Sequence, residues 1–278
     1  ILEMRSTLAG LRMQNKKIAF VPTMGNLHQG HLSLLQQAQT LADKVVVSIF
    51  VNPLQFNDEQ DLRRYPRTLS GDINLLRELK CDLVFTPDET VMYPQGMSMQ
   101  TGIHVPGMND RLCGLGRPGH FDGVATVVTK LFNMVQADIA VFGEKDYQQL
   151  LMIRKLVQDL NIPIDIVGAP TRREKSGLAM SSRNNLLTKV QRTKAALLYQ
   201  QLLEVKNALE KGETNLDGLL AGAQTKLEEA GFEPEYLQVC RDDNLETALP
   251  GQDKGLRILA AARLGKVRLI DNVACNLA

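Results

Sequence analysis

The stretch KIAFVPTMGNLHQGHLSLLQQAQTLADKVVVSIFV, residues 17–51, contains the pattern that decides the fold. Its first apolar run, KIAFVP, meets a Pro and a Gly-containing loop, which is typical of a buried strand that ends in a turn. Leu32, Leu35 and Ala38 then recur at helical spacing, and VVVSIFV forms a second, continuously apolar run. A strand, a helix and a second strand in this order predict a parallel sheet with a right-handed crossover.

The same alternation continues as far as residue 170. A helical pattern over residues 70–79 precedes the strand CDLVFTP, GVATVVTKLFNMV precedes ADIAVFG, and DYQQLLMIRKLVQDL precedes IDIVGAP. Residues 94–121 hold six Gly and three Pro, which predicts an irregular but ordered excursion of the kind that can serve as a flap. We therefore predict an α/β domain with a doubly wound, Rossmann-like parallel sheet over residues 1–170.

The sequence changes character after Pro170. NLLTKVQRTKAALLYQQLLEVKNALEKGE and LDGLLAGAQTKLEEAGF are predicted as two amphipathic helices. YLQVCRDD, LRILAAARLG and KVRLIDNV are predicted as antiparallel strands. These elements predict a second, smaller α+β domain over residues 171–278, which would contribute the loop MSSR.

Composition excludes several classes of protein. The 278 residues, 44% of them hydrophobic, are enough to bury a large core. Because 32 Lys and Arg balance 31 Asp and Glu, we expect no nucleic-acid partner. The four cysteines lie far apart without CxxC spacing, which predicts neither a zinc site nor a disulfide framework. No run is apolar enough to suggest a membrane span or a secretory leader, so we expect a cytoplasmic protein without membrane contact.

The most informative motif is HQGH at residues 28–31, where a strand passes into a helix. Parallel sheets bind ligands at the carboxyl ends of their strands, where Gly25 and Gly30 permit close approach and the first helical amides attract phosphate. His28 and His31 add donors that can stabilise charge on an α-phosphoryl group under attack. Two alternatives are that one His caps the helix while the other packs, or that both bind a metal, although no third ligand has a recognisable spacing.

A second candidate phosphate loop is LAMSSRNNLL, residues 178–187. Ser181, Ser182 and Arg183 place hydroxyl and guanidinium donors at a helix start. Taken alone, this segment is more typical of a plain Ser N-cap. The combination with HQGH favours a phosphate-binding role.

Two further polar side chains follow buried strands. FGEKDYQQ, residues 142–149, places Lys145 where an ammonium can meet phosphates as a point charge, although a Lys at such a position is often a solvated surface residue. FVNPLQF, residues 50–56, places Gln55 where its amide can bind a hydroxyl or carboxylate group.

HxGH followed by MSSR resembles the nucleotidyltransferase superfamily that includes class I aminoacyl-tRNA synthetases. Six segments together resemble the pantothenate synthetase family over nearly the whole chain: PTMGNLHQGH, FVNPLQF, YPRTL, RPGHF, FGEKDYQQL and MSSRN. The resemblance implies an ATP-dependent ligase that joins pantoate to β-alanine through a pantoyl-adenylate and releases AMP and pyrophosphate. It also implies a homodimer formed through the larger domain.

The resemblance also implies which residues form the site. His31, His28, Lys145 and Arg183 would be the catalytic groups, and Gln55 and Gln149 would hold pantoate. The ATP site would be lined by Met24, Gly25, Asn26, Leu27, His28, Gln29, Gly30, His31, Gly143, Glu144, Lys145, Asp146, Arg172, Met180, Ser181, Ser182 and Arg183.

Two positions depart from the family's pattern. Arg172 is charged where relatives usually carry an apolar residue near adenine. Gly71 and Asp72 follow YPRTL where relatives often carry adjacent acids. We therefore expect Mg²⁺ to be held mainly by the ATP phosphates, with no protein ligand assigned and with Asp72 acting only through water.

Other functions share some of these features. A nucleotidylyltransferase would use HxGH to transfer AMP to a phosphorylated acceptor and would not need Gln55 and Gln149. A tRNA-charging fragment is disfavoured because the C-terminal part has no basic stripe with interleaved aromatics. A non-catalytic nucleotide-binding protein is disfavoured because the imidazole, ammonium and guanidinium groups are all intact.

Overall fold

The computed structural model describes residues 1–249 and 251–277. The chain divides into two compact units. The first consists of Ile1–Glu144 and Gln148–Pro170, and the second of Lys145–Tyr147 together with the chain from Thr171 onward. The short segment Lys145–Tyr147 therefore groups with the second unit, although it lies within the range predicted for the first domain.

Five parallel strands form the sheet of the first unit: β1 Ile18–Thr23, β2 Lys44–Ile49, β3 Leu83–Phe85, β4 Ile139–Gly143 and β5 Asp165–Ala169. Their order across the sheet is β3-β2-β1-β4-β5, and all neighbours pair in parallel. The chain thus adds β2 and β3 on one side of β1 and then β4 and β5 on the other side. The predicted doubly wound α/β fold is confirmed.

Seven helices accompany these strands: α1 Leu2–Met13, α2 Gln29–Leu41, α3 Glu59–Arg64, α4 Leu69–Glu78, α5 Glu89–Met92, α6 His120–Val135 and α7 Tyr147–Asp159. The sequence pattern predicted α2, α4, α6 and α7 but not the other three. Helix α6 begins three residues before the predicted GVATVVTKLFNMV, directly after Gly119, whose φ of 75° turns the chain into the helix.

The sheet is covered on both faces, which explains its continuously apolar strands. Ala19 and Val21 of β1 belong to a buried cluster with Leu35 of α2. Phe20 points to the opposite face, where its ring packs edge-on against Phe132 of α6 with a centroid distance of 6.4 Å. Burying each large side chain stabilises the fold by roughly 1.5–3 kcal/mol, so these strands anchor the sheet edge from which the candidate site projects.

The second unit contains α8 Lys189–Ala195, α9 Leu197–Glu210 and α10 Leu216–Glu229, followed by β6 Phe232–Arg241, β7 Gly255–Leu264 and β8 Val267–Asn276. The three strands form an antiparallel sheet in the order β6-β7-β8, as predicted. Its core joins α9 residues such as Leu198 and Leu202 to β7 residues such as Leu256 and Ile258.

The single long helix predicted over residues 185–213 is wrong. Residues Ser182–Leu186 form a 3₁₀ turn, and the helical stretch that follows is divided into α8 and α9 at Ala196. The cause is a capping box in which Thr188 accepts from the Gln191 amide while the Gln191 side chain accepts from the Thr188 amide. Because this box closes the first turn, the α-helix begins at Lys189.

Within the described ranges, none of the helices has the length and apolar content needed to span a bilayer. The four cysteines form no disulfide in the same ranges.

Candidate active site

The carboxyl ends of β1 and β4 form the topological switch point of the sheet. Ala19 pairs with Ile139 and Phe20 with Ala140, so the two strands are direct neighbours. The chain leaves β1 toward β2 and leaves β4 toward β5, which opens a crevice of the kind that binds ligands in doubly wound sheets. The loop of residues 24–28, which follows β1, and the pair Gly143 and Glu144 therefore share one edge.

The loop of residues 24–28 takes an unusual backbone conformation. Gly25 and Asn26 both have positive φ values, 79° and 50°. A Cβ on Gly25 would lie 3.0 Å from both Asp72 Oδ2 and Ile49 Cγ2, so glycine is required there for space as well as for conformation. Two successive left-handed residues turn the amides that follow toward one point.

That point is occupied by the Asp72 carboxylate, which comes from α4. The amides of Asn26 and Leu27 donate to its two oxygens over 2.9 and 2.8 Å. The hydroxyl of Thr68 also contacts both oxygens at 3.2 Å. The loop is thus held in shape from inside the unit by a buried anion.

His28 and His31 form a reciprocal capping box at the start of α2. The Nδ1 atom of His28 accepts from the Gly30 amide over 3.1 Å, and the Nδ1 atom of His31 accepts from the His28 amide over 3.4 Å. The two rings are half-buried, with centroids 4.1 Å apart. Since both Nδ1 atoms accept, each neutral ring carries its proton on Nε2.

Capping and phosphate binding are therefore compatible, because they use different nitrogens of the same ring. The amides of Asn26 and Leu27 donate to Asp72 of α4, and those of His28 and Gly30 donate to the two imidazoles. Of these four residues, Gly30 alone belongs to the first turn of α2, so phosphate binding by the first-turn amides stays a prediction.

Asn52 is a buried residue that sequence analysis missed, and its amide orientation is fixed by the backbone. Its Oδ1 accepts from the Leu54 amide over 3.3 Å, and its Nδ2 donates to the Gly123 carbonyl over 3.1 Å. Its Oδ1 also accepts from the Tyr93 hydroxyl over 2.6 Å. Burial raises the pKa of the Tyr93 phenol, so this group stays protonated and donates.

The orientation of Asn52 fixes that of Gln55. Asn52 Nδ2 donates to Gln55 Oε1 over 3.1 Å, so the Gln55 amide nitrogen points the other way and contacts Met24 Sδ at 2.9 Å. The structure thus brings the predicted Gln55 directly against the predicted Met24. Gln55 presents a donor at this position, which suits a carboxylate or hydroxyl oxygen.

The backbone of Gln55 is also clamped. Its carbonyl accepts from His120 Nδ1 over 2.8 Å and from Arg117 Nη2 over 3.3 Å. A side chain on Gly123 would overlap the Leu54 carbonyl, so α6 packs directly on the turn Pro53–Gln55. Neighbouring elements therefore fix both the backbone position of Gln55 and the orientation of its side-chain amide.

Gln149 is half-buried on α7 and makes no side-chain hydrogen bond to any residue of 1–249 or 251–277. The preceding Gln148 has a different role. Its Oε1 accepts from the Cys113 amide, and its Nε2 donates to the Met108 and Arg111 carbonyls, each over 3.0 Å. Gln148 thereby holds the Gly-rich excursion to α7, and no local sequence signal distinguishes it from Gln149.

In the second unit, Lys145 is attached to the C-terminal sheet. Asn272 of β8 donates to the Lys145 carbonyl over 2.9 Å, and Arg257 of β7 donates to Asn272 over 3.0 Å. The Arg257 guanidinium lies 3.6 Å over the ring of Tyr147, whose hydroxyl donates to the Asp242 carbonyl over 2.9 Å. The position of Lys145 therefore depends on residues far along the chain.

The MSSR segment belongs to the same unit. The Met180 amide donates to the Arg172 carbonyl over 2.9 Å, which brings these two predicted residues together. Ser181 caps the turn Ser182–Leu186 by accepting from the Arg183 amide over 3.2 Å. Ser181 is therefore the N-cap of this turn, and Arg183 within the turn is half-buried.

The predicted site residues are divided between the two units. Residues 24–31, Gln55, Gly143, Glu144 and Gln149 belong to the first unit, and Lys145, Asp146, Arg172 and residues 180–183 belong to the second. Their convergence around one phosphorus stays a prediction.

Side chains that commonly bind metals are not clustered in the part of the chain that the structure describes. Across 1–249 and 251–277, no three His, Cys, Asp or Glu side chains are grouped so as to hold a metal ion. Asp72 is only 2% exposed, and both of its oxygens accept from backbone amides. It does not fit the role of a water-mediated metal ligand.

Comparison with known proteins identifies the family of this chain. The family model for pantoate-beta-alanine ligase matches residues 1–274. The chain is 55% identical to the pantothenate synthetase of Ectopseudomonas mendocina over 276 residues, covering 99% of this chain and 96% of the relative. It is 53% identical to that of Pseudomonas aeruginosa strain UCBPP-PA14 over 277 residues, covering 100% and 98%.

Solved structures agree as well. The crystal structure of pantothenate synthetase from Thermus thermophilus matches with a TM-score of 0.88 at 43% identity and covers 96% of each chain. The Francisella tularensis pantoate-beta-alanine ligase, complexed with beta-gamma ATP and beta-alanine, matches with a TM-score of 0.79 at 37% identity, covering 97% of this chain and 95% of the other. The chain belongs to the pantoate-beta-alanine ligase family.

Proposed function

We propose that this enzyme condenses pantoate with β-alanine to form pantothenate, using ATP and releasing AMP and pyrophosphate. The observation that carries the proposal is the capping box, which fixes the rings of His28 and His31 side by side at the switch point of the sheet. Family membership over residues 1–274 supports the same reaction. The Francisella relative, complexed with beta-gamma ATP and beta-alanine, supports the choice of substrates.

In the first step, the pantoate carboxylate attacks the α-phosphorus of ATP. The bond from this phosphorus to the bridging oxygen breaks, and pyrophosphate leaves with the electron pair. Negative charge grows on the non-bridging oxygens, and the Nε2–H groups of His28 and His31 donate to them. One such preorganised donor stabilises the transition state by about 3 kcal/mol. Lys145 and Arg183 would add positive charge at the triphosphate.

Gln55 and Gln149 would hold pantoate. The orientation of the Gln55 amide makes it a donor toward an oxygen of the substrate. Gln149 would supply a second amide from the first part of α7. Holding the carboxylate in line with the α-phosphorus offsets the repulsion between the two anions.

In the second step, the uncharged amine of β-alanine attacks the acyl carbon of the pantoyl-adenylate. AMP leaves with the electron pair of the acyl–oxygen bond, and the new amide loses one proton to solvent. Water would compete with the amine for the anhydride. The Gly-rich excursion, which Gln148 holds at Met108 and which Arg117 links to the Gln55 carbonyl, would therefore cover the anhydride and exclude water.

Three further properties belong to the proposal. Mg²⁺ would enter bound to ATP phosphates, and no catalytic step is assigned to it. The protein would form a homodimer through the first unit and would work in the cytoplasm, as the family resemblance implies. Light scattering in solution tests the dimer.

The reaction is tested by exchange of labelled pyrophosphate into ATP. We expect exchange that requires pantoate and does not require β-alanine, with AMP rather than ADP formed once β-alanine is added. Exchange without pantoate, or no exchange at all, would overturn adenylation of pantoate. Formation of ADP would indicate an acyl-phosphate ligase, and transfer of AMP to a phosphorylated acceptor would indicate a nucleotidylyltransferase.

A further inference from the structure

Asp72 is a buried carboxylate that the proposed chemistry does not use. Its side chain accepts the amides of Asn26 and Leu27 over 2.9 and 2.8 Å and contacts the Thr68 hydroxyl at 3.2 Å. Only 2% of the residue is exposed. Both oxygens are therefore directed into the protein, toward the loop of residues 24–28.

The Asn26 and Leu27 amides require a hydrogen-bond acceptor, and the Asp72 carboxylate provides it. Gly25 and Asn26 adopt the left-handed conformation, and Leu27 is buried, so their peptide groups cannot turn toward solvent without unfolding the loop. Consecutive amides arranged in this way form a concave site for an anion. Asp72 fills that site permanently, which excludes a phosphate from it.

The loop connects Asp72 with the residues expected to bind both substrates. Leu27 directly precedes His28, whose ring caps α2, and Met24 contacts the Gln55 amide at 2.9 Å. A shift of the loop would therefore move the imidazoles and the Gln55 contact together. A displacement of about 1 Å in such a site costs up to a hundredfold in rate.

We propose that Asp72 is a positioning residue that holds the loop of residues 24–28, and hence His28 and His31, in the geometry needed for adenylation, with Thr68 orienting its carboxylate. The proposal rests on the proposed function for its kinetic consequences. It replaces the expectation that Asp72 acts on Mg²⁺ through water.

The test compares three variants of the full chain. Asp72→Asn keeps the shape but turns an N–H group toward one of the two amides. Thr68→Val removes the orienting hydroxyl and provides a milder variant in case Asp72→Asn does not fold. Asp138→Asn is the matched control, because Asp138 accepts the Ile18 amide over 2.7 Å at the opposite end of β1.

Four quantities are measured for each variant: the melting temperature, hydrogen exchange of the Asn26 and Leu27 amides, pantoate-dependent exchange of pyrophosphate into ATP, and the Mg²⁺ concentration that gives half-maximal exchange. For Asp72→Asn we expect faster amide exchange in the loop, at least tenfold slower pyrophosphate exchange and an unchanged Mg²⁺ midpoint. Thr68→Val should change the same quantities less, and Asp138→Asn should alter pyrophosphate exchange less than about twofold.

A raised Mg²⁺ midpoint, with activity restored by excess Mg²⁺, would overturn the proposal in favour of a metal-linked role. Equal losses of activity in Asp72→Asn and Asp138→Asn at equal losses of melting temperature would show that Asp72 is merely structural. If the unmodified enzyme shows no pantoate-dependent exchange, the proposed function fails instead. Amide exchange in the loop would still decide whether Asp72 holds it.

Discussion

Replacing Asn52 by Asp should reverse the hydrogen-bonding direction of Gln55 with almost no change in shape. In the native protein, Asn52 Nδ2 donates to Gln55 Oε1 and to the Gly123 carbonyl, each over 3.1 Å. A carboxylate oxygen at the same position would face two acceptors. Gln55 can relieve one conflict by rotating its amide through half a turn, which directs its oxygen toward Met24.

The magnitude follows from these contacts. The Gly123 carbonyl cannot rotate, and a buried acceptor left without a donor costs about 1–3 kcal/mol of folding stability. For a protein of this size, the melting temperature should fall by roughly 3–10 °C. The rotated Gln55 amide would present an acceptor to an oxygen of pantoate. Losing that hydrogen bond should raise the KM for pantoate about 10- to 100-fold, since 1.4 kcal/mol corresponds to a factor of ten.

Steady-state kinetics with pantoate and ATP varied separately, together with thermal melts, measure both effects. Tyr93→Phe serves as the control, because it removes a donor to Asn52 Oδ1 but leaves the Leu54 amide and the Gly123 carbonyl to fix the orientation. It should lower the melting temperature while the KM for pantoate changes less than about threefold. If Asn52→Asp lowers stability without a selective rise in the KM for pantoate, Asn52 does not set the direction of Gln55.

Four further outcomes are expected. Gly25→Ala, whose Cβ would lie 3.0 Å from two side chains at a φ of 79°, should destabilise the protein by about 1–3 kcal/mol in denaturant titrations. His31→Ala should lower pyrophosphate exchange about a hundredfold or more. Because it also removes one bond of the capping box, the melting temperature should fall by about 1–4 °C, much less than a loss of the fold. Arg257→Met should raise the KM for ATP several-fold in steady-state assays, because it loosens the attachment of Lys145. Burial raises the pKa of Cys81 to about 11, so mass spectrometry should show alkylation at pH 8.5 about a hundredfold slower than for an ordinary thiol.

The sheet was predictable because its inner strands β1, β2 and β4 are buried on both faces and therefore appear as continuous apolar runs. Helix α1 was not predicted, although Met4, Leu8 and Leu11 recur at helical spacing and two of them, Met4 and Leu8, are buried. The helix over residues 185–213 was extended too far because Leu186, Leu187 and Val190 continue the helical spacing of apolar residues across the capping box. The start of α8 at Lys189 is set by this capping box and not by the hydrophobic pattern.

Sequence analysis located the candidate site but not its support. Strand ends and Gly-rich loops are visible along the chain, and topology brings the ends of β1 and β4 to one edge. Asp72 could not be paired with Leu27, since the two are 45 residues apart and their contact exists only after α4 packs. Asn52 and Gln148 were missed for the same reason: each holds a neighbour in place through tertiary hydrogen bonds that no local pattern predicts.

The spacing of HxGH has a physical explanation in the geometry of a helix start. His28 is the N-cap and His31 the third helical residue, the two positions whose side chains can satisfy backbone amides reciprocally. Using Nδ1 for this purpose fixes the ring orientation and leaves the neutral-ring proton on Nε2 before any substrate arrives. Donors that need no reorganisation during the reaction are the ones that stabilise a transition state most. The capping function of HxGH therefore suits it to catalysis, because capping fixes the two rings in advance.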